Sequence, residues 1–277
     1  MNNDTETFIP LAIHPATAHE TKLFAEPLIT VKGMNKSYNT KSGVVDVLHD
    51  INFTVRDNSL AIIFGPSGSG KTTLLNVLSG LEPPTTGTLN IDGQDVYKLN
   101  ADNRAHFRAQ AMGIVHQTNY WVKSLNVLEN VAMPLYLSGS DKSSATKAAL
   151  TSLEEVGMTE FAHFQPSVLS GGQQQRVSMA RALVANPKLI LADEPTGNLD
   201  SKNGEMIMNL LVKAQKELKR TIILVTHNLE YLPLSDTQLY ILDGNLTASR
   251  RGQKMPEDIM NTLRTQLNKL TDMEHTK

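Results

Sequence analysis

Residues 65–72 spell G-P-S-G-S-G-K-T, a glycine-rich run that ends in a lysine and a threonine. Glycines let backbone N–H groups converge on phosphate oxygens, a lysine adds a full positive charge, and a threonine hydroxyl is a ligand for Mg²⁺. The apolar run before it and the helical pattern after it, which stops at Gly80, favour a phosphate-binding loop over a purely structural glycine turn. The residues expected to bind phosphate are Gly65, Pro66, Ser67, Gly68, Ser69, Gly70, Lys71, Thr72 and Thr73.

Two adjacent carboxylates, Asp193 and Glu194, follow the apolar run at residues 189–192. Open α/β sheets place their ligands at the carboxyl ends of the strands, so this pair is expected in a binding cleft. There Asp193 would hold Mg²⁺ through water and Glu194 would polarise an attacking water. An acidic pair after a strand is by itself more typical of a solvated loop or a helix cap. Together with the phosphate-binding loop, it predicts a nucleotide-hydrolysing site.

A third segment, residues 169–173, reads L-S-G-G-Q. Ser170 suits a helix N-cap, and Gly171 and Gly172 leave the first N–H groups of that helix uncovered. Such a helix start can bind an anion, yet a well-capped helix without a ligand explains the same residues. The residues alone leave both interpretations open.

The stretches around these motifs predict two kinds of sheet. Residues 28–31 and 45–55 alternate and are rich in β-branched side chains, which is typical of antiparallel strands. Residues 60–64, 189–192 and 221–225 are continuous apolar runs that alternate with helical patterns. Such runs predict a parallel sheet that is covered on both faces.

The segments between the first and second apolar runs and after the last one have different patterns. Residues 101–112 and 141–156 have helical periodicity, so we expect a mostly helical insert between the first and second motifs. Residues 239–242 and 246–247 flank the turn sequence D-G-N, which predicts a closing hairpin.

Composition narrows the class of protein. With 277 residues, 40% hydrophobic and 19% charged, the chain is typical of a globular protein and not of a disordered or collagen-like one. Its 26 Lys+Arg and 28 Asp+Glu give a net charge of -2, which gives no support for a nucleic-acid partner. Cysteine is absent, which excludes disulfides, thiolate metal sites and a cysteine nucleophile. No apolar run approaches the roughly 20 residues of a membrane span, and the first residues lack a signal peptide's basic segment, so we expect a soluble, unexported chain.

Residues 65–72, 169–173 and 193–194, in this sequence order and followed by His227, resemble the nucleotide-binding domain of ABC transporters across residues 28–248. The L-S-G-G-Q segment is specific to that family. The resemblance implies an α/β P-loop NTPase (ABC ATPase) fold with a RecA-like core, an antiparallel β subdomain and a helical subdomain. It divides the chain into an N-terminal extension at 1–26, a nucleotide-binding domain at 27–248 with the helical subdomain inserted at about 97–168, and a C-terminal helical extension at 249–277.

The resemblance also implies roles for single residues. Tyr38, expected just after the first strand, would stack on adenine. Gln117 would reach the Mg²⁺ and link the core to the helical insert. Asp200 lies in a loop that would cross a dimer interface, and His227 would contact the γ-phosphate and hold Glu194 and water in line.

The implied assembly is a head-to-tail dimer of two copies. Residues 169–173 of one copy would close over the γ-phosphate that Lys71 of the other copy holds. The ATP-binding set then includes Ser170, Gly171, Gly172 and Gln173, and the metal-binding set is Thr72, Gln117 and Asp193.

The expected function is that of an ATP-binding and ATP-hydrolysing subunit of an ABC transporter or mechanotransmission complex, with ATP and Mg²⁺ as cofactors. Its partners would be integral membrane (permease) subunits and a second copy of itself, without nucleic acid. It would lie in the cytoplasm, peripheral on the inner face of the plasma (inner) membrane. Residues 128–135 and 192–200 are similar to the branch of lipoprotein-releasing, macrolide-exporter and cell-division ATPases.

Two alternative functions belong to other classes. A soluble ABC ATPase of DNA repair or translation generally has two cassettes or a long coiled coil, and this chain has neither. A non-transport regulatory or cell-division module is disfavoured because four chemistry-bearing residues are intact, namely Lys71, Asp193, Glu194 and His227.

Three features depart from the compact family pattern. His116 stands where the relatives usually carry a large apolar residue. Residues 120–122 include the chain's one tryptophan, Trp121, and form either ordinary core or a groove for a cytoplasmic helix of the membrane subunit. Residues 252–277 have helical spacing and would either pack on their own domain or contact a dimer mate or regulator.

Overall fold

The structure is a computed structural model that describes residues 27–250. The predicted N-terminal extension at 1–26 lies outside the described residues. Of the predicted C-terminal extension, the helical tail at 252–277 also lies outside them.

Residues 27–250 form ten strands, six α-helices and several short 3-10 helices. The strands are β1 (Ile29–Thr40), β2 (Gly43–Val55), β3 (Leu60–Phe64), β4 (Thr86–Ile91), β5 (Gln94–Asp95), β6 (Met112–Val115), β7 (Leu189–Asp193), β8 (Thr221–Val225), β9 (Thr237–Leu242) and β10 (Asn245–Arg250). The α-helices are α1 (Lys71–Leu78), α2 (Ala101–Ala111), α3 (Val127–Leu137), α4 (Lys142–Glu155), α5 (Gly171–Leu183) and α6 (Ser201–Lys216). The 3-10 helices span Val96–Lys98, Thr159–Phe161, Pro166–Val168 and Leu229–Leu234.

The strands form two sheets, as the sequence predicts. The first is antiparallel, with the order β2-β1-β4-β5. The second has the order β10-β9-β3-β8-β7-β6; its four pairings from β9 to β6 are parallel, and β10 closes it through an antiparallel hairpin. The α/β fold class is therefore confirmed.

The continuous apolar runs are explained by burial on both faces of the six-stranded sheet. Leu60, Ile62 and Phe64 of β3 pack into a core with buried residues of α3 to α6. Ala61 and Ile63 point the other way, into a core shared with α1 and the antiparallel sheet. Because successive side chains alternate between faces, a strand between two cores needs an apolar residue at every position.

The region predicted as a helical insert contains one strand and one helix that the sequence patterns did not identify. β6 lies inside the range 97–168 but pairs with β7 in the six-stranded sheet. The unidentified helix is α3, which begins with a capping box between Asn126 and Glu129 and contains Pro134. Its residues are apolar on most sides, which masks the 3.6-residue period that identified α2 and α4.

Gly113 on β6 permits a close backbone approach between the central sheet and α5. A Cβ at this position would lie 2.1 Å from the carbonyl oxygen of Ala182. We therefore expect Gly113→Ala to destabilise the fold by about 1–3 kcal/mol, since backbone atoms must move to make room. Urea unfolding followed by circular dichroism measures this loss.

Gly204 inside α6 provides the matched control. A Cβ there would meet Thr196 at 3.6 Å, an ordinary contact. Gly204→Ala should be neutral or stabilising by roughly 0.5–1 kcal/mol, as expected for alanine in a helix. Equal effects of the two substitutions would contradict the packing argument.

Candidate functional site

The loop after β3 has a backbone path that depends on glycine. Gly65, Gly68 and Gly70 have φ angles of 152°, 78° and 106°, which L side chains rarely adopt. A Cβ at Gly65 would lie 2.0 Å from the carbonyl oxygen of Ile241 on β9. The neighbouring strand therefore fixes the path of the loop and excludes a side chain at its first position.

Lys71 begins α1, and its side chain folds back over this loop. Its Nζ donates hydrogen bonds to the carbonyl oxygens of Gly65 (2.9 Å) and Pro66 (2.8 Å). Burial lowers the pKa of Lys71, and the negative charges of Glu194 and Asp193 act in the opposite direction. The first turn of α1 contains no acidic residue, so its partial positive charge is not neutralised there. Loop, ammonium group and helix start together form a site suited to an anion.

The predicted carboxylates lie next to this positive site. Asp193 is the last residue of β7, and Glu194 has a φ of 44°, a left-handed conformation that is uncommon for a non-glycine residue. The backbone N–H of Glu194 donates to the carbonyl oxygen of Val225 on β8 at 2.9 Å. Burial and the charge of Glu194 raise the pKa of Asp193, while Lys71 lowers it. The two carboxylates and the ammonium group therefore form one electrostatic cluster.

His227 and Gln117 both border Glu194. The Nδ1 atom of His227 lies 2.9 Å from Oε2 of Glu194, a close contact without the alignment of a hydrogen bond. The Glu194 side chain is 15% exposed, whereas that of His227 is 66% exposed. A Cβ at Gly197 would lie 3.2 Å from Nε2 of Gln117 and 3.5 Å from the carbonyl oxygen of Glu194. The Gln117 amide thus lies beside the turn that follows the carboxylates.

Tyr38 lies within β1, opposite Val45 of β2, and not after the strand as the sequence suggested. Its hydroxyl donates to Oε2 of Glu82 at 2.6 Å, and Nζ of Lys36 lies 4.8 Å from its ring centroid. Burial and the hydrogen bond to Glu82 raise the pKa of Tyr38, while a hydrogen bond with Thr73 lowers it. Tyr38 is therefore connected to α1 just after the phosphate-binding loop.

The segment at residues 169–173 is a capped helix start. The Oγ of Ser170 accepts from the N–H of Gln173 at 3.3 Å, and Oε1 of Gln173 accepts from the N–H of Ser170 at 2.8 Å. Both polar side chains thus take part in a capping box. Within residues 27–250, no hydrogen bond or ion pair links this segment to residues 65–73 of the same chain.

Asp200 is the N-cap of α6, and Asn203 contacts it twice. Oδ1 of Asp200 accepts from the N–H of Asn203, and Oδ2 accepts from its Nδ2, both at 2.8 Å. These hydrogen bonds lower the pKa of Asp200. A Cβ at Gly172 would collide with the Asn203 side chain at 2.4 Å. Asn203 therefore connects the Asp200 loop to residues 169–173.

The structure brings part of the predicted set together. The phosphate-binding loop, Asp193, Glu194, His227 and Gln117 meet at one edge of the sheet, while residues 169–173 lie with Asp200 elsewhere on the chain. Sequence reasoning missed Glu82 and Asn203. The position of Asn203, three residues after a helix N-cap, was the available signal for one of them, and no pattern marked Glu82.

The chain matches a family model described as ABC transporter over residues 48–197, more than half of its length. It is 40% identical over 221 residues to the "Lipoprotein-releasing system ATP-binding protein LolD" of Hyphomonas neptunium, covering 80% of this chain and 97% of the relative. It is 38% identical over 222 residues to the protein of the same name from Shewanella denitrificans, covering 80% of this chain and 95% of the relative.

The similar solved structures are ABC transporter cassettes too, in agreement with the family model. The chain superposes with a TM-score of 0.76 and 37% identity on a structure titled "Dimeric Structure of MJ0796, a Bacterial ABC Transporter Cassette", covering 81% of this chain and 100% of that one. It matches equally well, at a TM-score of 0.76 and 36% identity, a "post-hydrolysis state of the ATP-binding cassette MJ0796 bound to ADP and Pi", with the same coverage.

His116, next to Gln117, is expected to make the stability of the fold depend on pH. Burial lowers its pKa, and the charge of Arg181 lowers it further. Because the folded state binds this proton more weakly than the unfolded state, stability is present at neutral pH and is lost as pH falls through the His116 pKa values. We expect His116→Phe to lose less stability than the parent chain between about pH 7.5 and about pH 5.

The measurement is the urea midpoint of both chains across this pH range. His163→Gln is the matched control, because it also removes one histidine but at an exposed position. An identical acid-induced loss in His116→Phe and in the parent would contradict the assignment.

Proposed function

Because the chain belongs to the ABC transporter family and carries its ATP-hydrolysing cassette, we propose that residues 65–73, Asp193, Glu194 and His227 form its catalytic site. The observation that carries this proposal is the 2.9 Å contact between His227 Nδ1 and Glu194 Oε2. It lies beside the loop and ammonium group that suit a triphosphate. A partly buried carboxylate that is in contact with an imidazole is equipped to activate water next to a bound phosphate.

The proposed roles follow from the positions of the groups. The loop N–H groups and Lys71 bind the β- and γ-phosphates, for which Lys71 exchanges its two carbonyl contacts. Glu194 accepts a proton from water as the water oxygen bonds to the γ-phosphorus, and the bond between that phosphorus and the bridging oxygen of ADP breaks. His227 orients Glu194. The left-handed backbone of Glu194 keeps its carboxylate in place.

The chemistry of the available oxygen donors fits Mg²⁺. Thr72, Gln117 and Asp193 offer a hydroxyl, an amide oxygen and one carboxylate, the kind of donors that this ion takes together with water and phosphate oxygens. Among residues 27–250, no group of three or more histidines and carboxylates could bind a metal by itself. When bound, Mg²⁺ would neutralise developing charge on the phosphates.

A second copy of the chain would complete the site. Residues 169–173 present a helix start without an acidic residue in its first turn, and this start does not reach the loop of its own chain. We propose that it contributes Ser170, Gly171 and Gly172 to the phosphate of a partner copy, with Gln173 holding the cap. Asp200 lies with this segment, so both would belong to the dimer interface. The dimeric form of the MJ0796 cassette supports this arrangement.

A groove of 730 Å³ lies between α2, β6, α3 and α5 and would receive an integral membrane subunit. Tyr120 and Val122 line it, but Trp121 does not: its Nε1 donates to Gln174, and its ring packs against the core and under Arg181. Of the two interpretations of residues 120–122, these contacts support ordinary core for Trp121 and the groove for its two neighbours.

The chemistry of this groove indicates what would occupy it. Its rim carries exposed Leu137, and its cations Arg108 and Arg181 outnumber the single carboxylate of Asp102. These features favour an amphipathic helix that bears carboxylates.

The complete proposal is that residues 27–248 form a nucleotide-binding domain that powers a membrane subunit of the lipoprotein-releasing type. The two curated relatives carry that description in their names. The chain would then lie on the cytoplasmic side of the inner membrane, attached through this subunit. Within residues 27–250, no helix is long and apolar enough to cross a membrane.

Glu194→Gln tests the catalytic assignment. Loss of a positioned general base should reduce turnover about 10²–10⁴-fold, while ATP binding is retained and ATP-bound dimers accumulate. Phosphate release measures turnover, and light scattering with ATP measures dimers. Glu205→Gln, an exposed change on α6, is the control and should behave as the parent does. Near-parental hydrolysis by Glu194→Gln would refute the assignment.

Leu137→Glu tests the groove. Leu137 is 77% exposed, so the change should leave the fold and the basal ATPase rate intact, while it introduces a charge where the membrane subunit would dock. We expect loss of the membrane subunit from preparations purified in detergent, with that subunit identified by mass spectrometry. Leu150→Glu on α4, at 37% exposure, is the control. Undiminished recovery of the subunit with Leu137→Glu would exclude this groove.

A further inference from the structure

Glu82, which no sequence pattern marked, holds the hydroxyl of Tyr38. The O–H of Tyr38 donates to Oε2 of Glu82 at 2.6 Å. Lys36 contacts both groups: its Nζ lies 3.6 Å from the same oxygen and 4.8 Å from the Tyr38 ring centroid. The aromatic ring is thus fixed at its hydroxyl by one residue and covered at its face by another.

The same carboxylate is tied to α1. Nδ2 of Asn76 donates to Oε1 of Glu82 at 3.0 Å, and the Glu82 N–H donates to the Asn76 carbonyl at 3.3 Å. The hydroxyl of Tyr97 lies 2.5 Å from the Glu82 carbonyl oxygen and 2.6 Å from that of Val77 on α1. Glu82 therefore cannot move independently of this helix.

α1 is the helix that begins with Lys71, and its other end is also fixed to the antiparallel sheet. A Cβ at Gly70 would lie 3.0 Å from a methyl of Leu48 and 3.2 Å from the carbonyl of Val47, both on β2. The hairpin that carries Tyr38 thus contacts the phosphate-binding loop at one end of α1 and Glu82 beyond the other. These two contacts set where the aromatic ring lies relative to the phosphate site.

We infer that Glu82 is a positioning residue for the nucleobase: it holds the Tyr38 ring where it stacks on adenine while the triphosphate is bound at residues 65–73. This inference rests on the proposed function and on the adenine contact that the family resemblance implies for Tyr38. The hydrogen bond from Tyr38 is the largest of the interactions that lower the pKa of Glu82, so the carboxylate is ionised at neutral pH and is a strong acceptor.

The test compares two ligands that share the phosphate chain. MgATP offers both adenine and triphosphate, whereas Mg-bound inorganic triphosphate offers only the second. Glu82→Ala should weaken MgATP binding about 2- to 10-fold, the range of one aromatic stacking contact, and should leave triphosphate binding unchanged. Titration calorimetry on the full chain measures both affinities, and steady-state kinetics should show a raised KM for ATP with little change in kcat.

Four further variants separate positioning from folding. Tyr38→Phe keeps the ring but loses the hydroxyl, so it should match Glu82→Ala, and the double variant should be no weaker than either single one. Glu82→Gln keeps an acceptor and should restore much of the MgATP affinity. Glu205→Ala, a carboxylate removed from the exposed face of α6, should change neither affinity.

The outcomes distinguish this inference from the proposed function. If Tyr38→Ala weakens MgATP binding but Glu82→Ala does not, the positioning role is wrong and the base contact stands. If Glu82→Ala weakens both ligands equally, the positioning role is wrong, and Tyr38→Ala alone decides the base contact. If Tyr38→Ala leaves the ratio of the MgATP affinity to the triphosphate affinity unchanged, both the base contact of Tyr38 and the positioning role of Glu82 are wrong. The assignment of Glu194 and Lys71 is untouched by either result.

Discussion

The parallel pairing of β3, β8 and β7 is the constraint on which the rest of the site depends. Ile63 is in register with Val225 of β8, and Val225 is in register with Asp193 of β7. Adjacent strands lie about 4.8 Å apart, so whatever follows these three residues emerges within about 10 Å along one edge. The phosphate-binding loop, Glu194 and His227 each follow one of these strands within two residues. Pairing of the backbone thus assembles a site from segments that are far apart in the sequence.

The structure compensates for local strain and charge burial around this edge. The loop packs closely against β9, and Glu194 has a left-handed backbone, and both conformations are energetically unfavourable by themselves. They persist because the sheet is packed between two apolar cores, which hold the strands before them in place. Burial lowers the pKa of Lys71 and raises that of Asp193, and the attraction between the ammonium group and the carboxylates opposes burial at both residues, although the charge of Glu194 raises the pKa of Asp193 further. Binding of a magnesium–triphosphate complex would replace some of the contacts among Lys71 and the two carboxylates. It would not change the backbone conformations of the loop and of Glu194.

Much of this arrangement could be predicted from the sequence, because the decisive signals are local. Apolar runs with a residue at every position identified β3, β7 and β8, and glycine spacing identified the loop between β3 and α1. What could not be predicted depends on contacts between distant residues. The role inferred for Glu82 depends on its contact with Tyr38, which is 44 positions away in the sequence and is brought beside it only by the fold. The exclusion of a side chain at Gly113 likewise depends on α5, which packs against it. Trp121 could be assigned to the core only from its contacts with Gln174 and Arg181.

Within one chain, the phosphate-binding loop with its carboxylates and the capped helix start beside Asp200 do not contact each other. Our proposal is that two copies bring these two parts together around ATP. Its most direct test is the rate of phosphate release per chain as the concentration of the purified protein is varied at saturating MgATP. The claim predicts a rate per chain that rises with protein concentration and then levels off as dimers form. A rate per chain that is constant down to concentrations at which light scattering shows only monomers would contradict it.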